Sequence, residues 1–160
     1  MKIYIGADHV GFEFKNKVVT YLKKFGYEVK DEGAFYFDKN DDYPDFITPV
    51  AKAISVDFES LGIILGGSGQ GEAMCANRIK GVRAMVFYGT QKAVSPIDIT
   101  GKESLDVFEM VSLSRQHDYA NVLSLGMRFI SESEAILAID IFLNTKHSNI
   151  DRHSRRISKF

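Results

Sequence analysis

The sequence predicts an α/β fold, a five-stranded parallel sheet with helices on both faces. Three observations predict it. Strand-like and helix-like segments alternate along the chain. Two runs, Leu61–Leu65 and Val82–Phe87, are almost continuously apolar, as strands buried on both sides are. The 160 residues are 45% hydrophobic and 26% charged, an ordinary globular mix that fits one domain, and a chain of that length builds a core without disulfide or metal.

The elements follow in order. Ile3–Ile5 is a short apolar strand that stops at Gly6. From Gly11 to Phe25 the apolar residues Phe14, Val18, Leu22 and Phe25 fall on one helical face, lysines occupy much of the other, and Gly26 ends the helix. Tyr27–Val29 reads as a second strand, and Asp38 to Asp45 as an acidic loop holding Pro44. Phe46, Val50, Ala53 and Ile54 mark a second helix. Strand three, Leu61–Leu65, runs into the glycines Gly66, Gly67, Gly69 and Gly71, with a short helix starting near Glu72. Val82–Phe87 is strand four. Leu105, Phe108 and Val111 belong to a helix-like stretch, and Val122–Leu125 is strand five. Glu132 to Leu143 carries Ile136, Ile139 and Leu143 at helical spacing, and Asp151 to Phe160 is basic.

A formal net charge of −1 implies no general nucleic-acid affinity. The single cysteine, Cys75, excludes an internal disulfide and fits a reducing compartment. The N-terminus enters a strand at once and lacks the features of a signal peptide, and no apolar run is long enough to span a membrane. A soluble cytoplasmic protein without membrane contact is therefore expected. His9, His117, His147 and His153 lack metal-ligand spacing, so no metal site is expected.

Ligands of open parallel sheets bind beyond the carboxyl ends of the strands. Asp8-His9 follows strand one, and Gly66–Glu72 follows strand three; His117 precedes strand five, so this rule does not place it. The glycine loop lets backbone approach a ligand, and its N–H groups can form an anion nest. It lacks the Lys-Ser/Thr of a Walker A loop, and it also reads as a plain tight turn with Glu72 in the first turn of the helix. Asp8 reads as a helix cap or a substrate ligand, and His9 as a surface imidazole or a ligand. His117 suits proton transfer, although lone histidines between elements are usually structural. In the tail, a helix would set Arg152 and Arg156 on one face, a grip for phosphate alongside Arg128, unless the segment is simply solvated. Cys75, among Ala73, Met74 and Ala76, reads as packing.

Taken together, the chain resembles the family of type B ribose-5-phosphate isomerases and galactose-6-phosphate isomerase subunits. The resemblance runs in order through Ile5–Phe12, Asp42-Tyr43-Pro44-Asp45, Gly66–Glu72, Ala76-Asn77-Arg78, Gly81–Ala84, Arg115-Gln116-His117, Asn121-Val122-Leu123, Leu125–Arg128 and Arg152–Arg156. It implies a Rossmann-like αβα sandwich, free of metal and organic cofactor. It also implies a homodimer, with a tetramer left open, whose active site draws on both chains. The implied reaction is aldose–ketose isomerisation of a sugar phosphate. One branch of the family uses a cysteine base at the position of Gly66; the other uses a glutamate at the position of Glu72, and this chain resembles the second.

The resemblance implies these roles. Glu72 is the base that moves a proton between adjacent carbons, through an enediolate. The N–H groups of Gly69–Gly71 and the Ser68 hydroxyl stabilise the enediolate oxygen, and Gly67 shares the loop. His117 opens the sugar ring, with Asp8 and Tyr43 beside the hydroxyls. His9, Arg128, Arg152, His153 and Arg156 hold the phosphate. Two features depart from the family. Asp118 stands where asparagine is usual, replacing an amide donor by a carboxylate acceptor next to substrate. The segment 89–113 is longer than usual and reads as a lid, a binding loop, a surface ornament or a larger dimer contact. The substrate expected is ribose 5-phosphate, converted to ribulose 5-phosphate. A hexose or tetrose phosphate, or a non-catalytic sugar-phosphate-binding subunit, is the alternative.

Overall fold

A computed structural model describes residues 1–159. Phe160, the end of the basic segment, lies outside the described residues. The elements are β1 (Lys2–Ala7), α1 (Phe12–Lys24), β2 (Glu28–Asp31), α2 (Pro44–Val56), β3 (Leu61–Gly66), α3 (Gln70–Ala76), β4 (Ala84–Phe87), α4 (Glu109–Asp118), β5 (Val122–Gly126), α5 (Glu132–Asn144) and α6 (Asp151–Ile157). All five strands are parallel, in the order β2-β1-β3-β5-β4. The expected α/β sandwich is what forms.

The pleat divides the core in two. Ile63 and Leu65 of β3 face Phe14, Val18 and Leu22 of α1 and Ile139 and Phe142 of α5. Ile64, between them, faces Ile47, Val50 and Ile54 of α2. Helix starts carry recognisable chemistry. Pro44 occupies the first turn of α2. Ser131 and Glu134 form a reciprocal capping box at α5: the Glu134 N–H donates to Ser131 Oγ at 3.2 Å, and the Ser131 N–H to the Glu134 carboxylate at 2.8 Å.

Several boundaries differ from the sequence expectation. β1 runs on through Gly6 to Ala7, whose N–H donates to Gly33 O, α3 starts at Gln70, and Phe25 lies beyond the end of α1 and is exposed. The second strand lies at Glu28–Asp31, one residue on from Tyr27, because the Tyr27 N–H still bonds Leu22 O at the end of α1. The fourth strand begins at Ala84, because the Val82 N–H closes a turn on Ile79 O and the Arg83 N–H donates to Asn121 Oδ1. Leu105 stands outside α4 and is exposed, whereas Phe108 precedes the helix and Val111 is buried.

Lys15 differs from Lys17, Lys23 and Lys24 of the same helix, which are exposed. It is fully buried, and its Nζ donates to Asp31 Oδ1 at 2.7 Å. Asp31 Oδ1 also accepts the Gly33 N–H at 3.0 Å, so one carboxylate at the end of β2 pins both α1 and the following turn. Asp31→Asn leaves a buried ammonium without its counter-charge and should cost about 3 kcal/mol. Urea unfolding with an unchanged m-value checks this; a midpoint equal to wild type would contradict it.

Candidate active site

β1 lies between β2 and β3. The chain leaves β1 toward one side of the sheet and returns on the other, which opens a crevice at the carboxyl ends of β1 and β3. Asp8 emerges from β1 there and Gly67 from β3. Asp8 is buried, 6% exposed, and its Oδ1 accepts the N–H groups of Val10 at 2.9 Å and Gly11 at 3.2 Å. It therefore caps the turn into α1, and its second oxygen carries no such bond among the described residues. Beside it the His9 Nδ1 lies 2.6 Å from Asp41 Oδ1.

The glycine loop is tied to β5. The Met127 N–H donates to Gly66 O at 2.9 Å, the Arg128 N–H to Gly67 O at 3.0 Å, and the buried Ser124 hydroxyl to Gly69 O at 2.7 Å. Gly69 has φ +75°, a left-handed turn that starts α3, and a side chain there would press on Val86 at 3.0 Å. A Cβ on Gly67 would sit 3.2 Å from the Arg128 guanidinium carbon, and one on Gly71 3.1 Å from the Tyr43 ring. Arg128 and Tyr43 thus lie directly on the loop. Ser68 is exposed, with its hydroxyl 3.3 Å from the Gln70 N–H.

Glu72, in the first turn of α3, folds back over this loop. A Cβ on Gly66 would overlap its carboxylate. Glu72 is only 4% exposed, and its Oε2 is buried with no hydrogen-bond partner among the described residues. Burial is the main cause that pushes the Glu72 pKa up, and the nearby Asp8 carboxylate adds to it. The Glu72 and Gly69 N–H groups and the Arg128 charge oppose that rise. Asp8 is raised too, again chiefly by burial. Two carboxyl groups with raised pKa values, beside backbone N–H groups and a guanidinium, are suited to proton transfer.

The remaining expected residues gather elsewhere. His117 and Asp118 end α4, which feeds the amino end of β5, while Arg128 follows the carboxyl end of the same strand. The two groups therefore stand roughly 15 Å apart along the sheet, at about 3.3 Å per residue. At the amino edge the His117 and His153 rings lie 4.1 Å apart. The Ser148 hydroxyl donates to Gln116 O at 2.8 Å, so its oxygen accepts from His153 Nδ1–H at 3.2 Å. His153 Nε2 then accepts from Arg152 Nε–H at 2.8 Å. Both ring nitrogens of His153 are thus committed within the chain, and in this structure the ring orients Arg152 and packs on His117. Burial, then the neighbouring His153 and Arg152, lower the His117 pKa, opposed by Asp118 and Asp98. A neutral ring at physiological pH suits a proton acceptor. Arg156 is exposed on the same short helix.

Asp41 and Ser124 were not singled out by the sequence. Each acts across a long stretch of chain, 32 residues for Asp41 and 55 for Ser124, and so leaves no local pattern. Among the described residues, no group of three or more His, Cys, Asp or Glu is arranged to hold a metal ion. No described helix is long and apolar enough to cross a membrane.

The chain matches the Ribose/Galactose Isomerase family over residues 3–97 and 106–160. It is 37% identical over 157 residues to the ribose-5-phosphate isomerase B of Mycobacterium tuberculosis, covering 98% of this chain and 86% of that one. It is 39% identical over 158 residues to a probable ribose-5-phosphate isomerase B of Mycoplasma genitalium, covering 98% and 91%. The crystal structure of the Mycoplasma genitalium ribose-5-phosphate isomerase B with bound ribulose 5-phosphate superposes with a TM-score of 0.84 at 38% identity, over 99% of this chain and 92% of that one. The chain belongs to the Ribose/Galactose Isomerase family and is an isomerase.

The burial of Glu72 has a thermodynamic sign. A carboxyl whose folded-state pKa is raised binds its proton more tightly folded than unfolded, so its ionisation weakens the fold as pH rises through that window. Glu72→Gln should be more stable than wild type above the ordinary carboxylate range, by about 1 kcal/mol or more, and should lose the advantage in acid. Thermal melts between pH 4 and pH 8 test this, and a pH-independent difference would refute it.

Proposed function

We propose that the protein interconverts ribose 5-phosphate and ribulose 5-phosphate through an enediolate, as a homodimer whose sites each draw on two chains. One observation carries the reading: a buried carboxylate with an unpartnered oxygen folded over a glycine loop, beside a second carboxylate. Glu72 takes the proton from C2 of the open-chain aldose and returns it at C1, while the hydroxyl proton passes from O2 to O1. Negative charge that develops on the substrate oxygen meets the N–H groups of Gly69 to Gly71 and the Ser68 hydroxyl. Asp8, capped on one oxygen, offers the other to a substrate hydroxyl, and Tyr43 closes the same side. His9 and Arg128 face the substrate's anionic end.

His117 opens the furanose ring in this reading, with Asp118 beside it, and Arg152 and Arg156 grip phosphate while His153 orients Arg152. These groups lie at the opposite sheet edge from Glu72, and that separation is what supports a second copy: the amino edge of one chain completes the carboxyl edge of the other. No organic cofactor enters the scheme, since the carboxylate and the loop suffice for proton transfer. A cytoplasmic location fits a charged, phosphorylated substrate and the lone thiol of Cys75. The eight residues 98–105, which fall outside the family match, and Asp118 favour one second reading, a different sugar phosphate with the same chemistry.

Proton NMR in heavy water with four- to six-carbon aldose phosphates tests the reaction. Conversion of ribose 5-phosphate with deuterium entering the carbon skeleton is expected; conversion of another sugar alone moves the substrate, and no conversion by the folded protein refutes the activity. Glu72→Gln should reduce turnover by at least about a thousandfold, the scale set by loss of an essential base. Mixing inactive Glu72→Gln and His117→Ala chains tests the shared site. Random reassortment gives half heterodimers with one intact site each, so activity should recover to about a quarter of wild type. Absence of recovery, with exchange of chains demonstrated, would place each site within one chain.

A further inference from the structure

The loop between β2 and α2 brings an acidic residue, Asp41, against His9. Its side chain is 6% exposed, and its Oδ1 lies 2.6 Å from His9 Nδ1. A carboxylate at this distance accepts, so Nδ1 carries the proton. Asp41 Oδ2 is buried without a partner among the described residues, and His9 is the only side chain there that hydrogen-bonds Asp41. The loop is shaped to present this group. The Asp41 N–H donates to Asp38 O at 3.1 Å, and the Asn40 N–H to Asp38 Oδ1 at 2.9 Å. From the same loop, Phe37 sets its ring edge-on to His9, 6.4 Å between centroids at 82°. The imidazole is thus held by a carboxylate on one nitrogen and an aromatic ring at its side, although it is itself only partly buried.

We propose that Asp41 is a positioning residue: it holds His9 with Nδ1–H turned inward, leaving Nε2 as the one ring nitrogen presented to the anionic end of the substrate. This rests on the reading above that His9 touches that end. An imidazole free to rotate would present either nitrogen or neither, and ordering it would oppose binding. A carboxylate behind the ring removes that freedom before the substrate arrives, because it accepts from Nδ1–H and so leaves Nε2 turned toward the anion. The pair is an ion pair only while His9 is protonated. A merely structural role, holding the loop in place, would make the effect of Asp41→Asn on substrate affinity independent of the identity of residue 9.

Steady-state kinetics with ribose 5-phosphate separate these. The variants are Asp41→Asn, Asp41→Glu, His9→Gln and the double variant His9→Gln/Asp41→Asn. Asp41→Asn should raise KM about tenfold with kcat changed less than about twofold, the scale of one lost charge-assisted hydrogen bond. Asp41→Glu should recover most of the loss, and Asp41→Asn should add nothing once His9 is already glutamine. The nitrogen-15 spectrum of the ring supplies a readout independent of turnover: Nδ1 should be protonated in wild type and should lose that character in Asp41→Asn. If Asp41→Asn costs as much without His9 as with it, the residue acts on the loop and the proposal fails. If Asp41→Asn behaves as wild type while His9→Gln is impaired, Asp41 has no positioning role, although His9 keeps its own. If His9→Gln itself behaves as wild type, the reading of His9 falls and the proposal with it. Should Asp41→Asn not fold, Asp41→Ser makes the same comparison.

Discussion

Five strands run in the same direction, and from that single constraint the placement of every functional group follows. In a parallel sheet each strand must be left at one edge and entered at the other. What the chain sets after β1, β3 and β5 therefore converges: Asp8, the glycine loop and Arg128 meet although 120 residues separate Asp8 from Arg128. What it sets before β5 is held away from them, which is why His117 and His153 pack on each other and not on Glu72.

Within the carboxyl edge, packing does electrostatic work. Glu72 has no cation bonded to it and one oxygen with no partner among the described residues, an arrangement that core packing alone would disfavour. The fold tolerates it because the glycine loop beneath is fixed from outside, by Met127, Arg128 and Ser124 of the β5 end. The raised pKa of Glu72 and the stability of the loop thus have different sources. The amino edge uses another device: a neutral imidazole, His153, with both nitrogens occupied, serves as the fixed partner of Arg152.

Much of this was legible in the sequence. Apolar continuity at Leu61–Leu65 and the glycines that follow identified β3 and its loop, because a strand buried on both faces and a left-handed turn each demand a narrow choice of residues. Glu72 and Asp8 followed from their position after strands. β2 is shifted toward its carboxyl end, to Glu28–Asp31, since an edge strand with exposed and half-buried residues alternating carries little apolar signal. The burial of Lys15 was not legible, because a lysine on a helix gives no sign that an aspartate at the end of the next strand will reach it. Asp41 was hidden in a run of acids in the same way. Contacts between distant segments are made by the fold, and local patterning does not record them.

The overlap between a Cβ at Gly66 and the Glu72 carboxylate bears on how the base proposed here relates to the cysteine that the resemblance sets at position 66. In the branch set apart by the resemblance, a cysteine stands at the position of Gly66. A side chain at residue 66 and the Glu72 carboxylate claim one volume, so this chain cannot carry the first while Glu72 keeps this conformation. A side chain at residue 66 therefore requires either a smaller residue at 72 or a helix turn that carries residue 72 away from the loop.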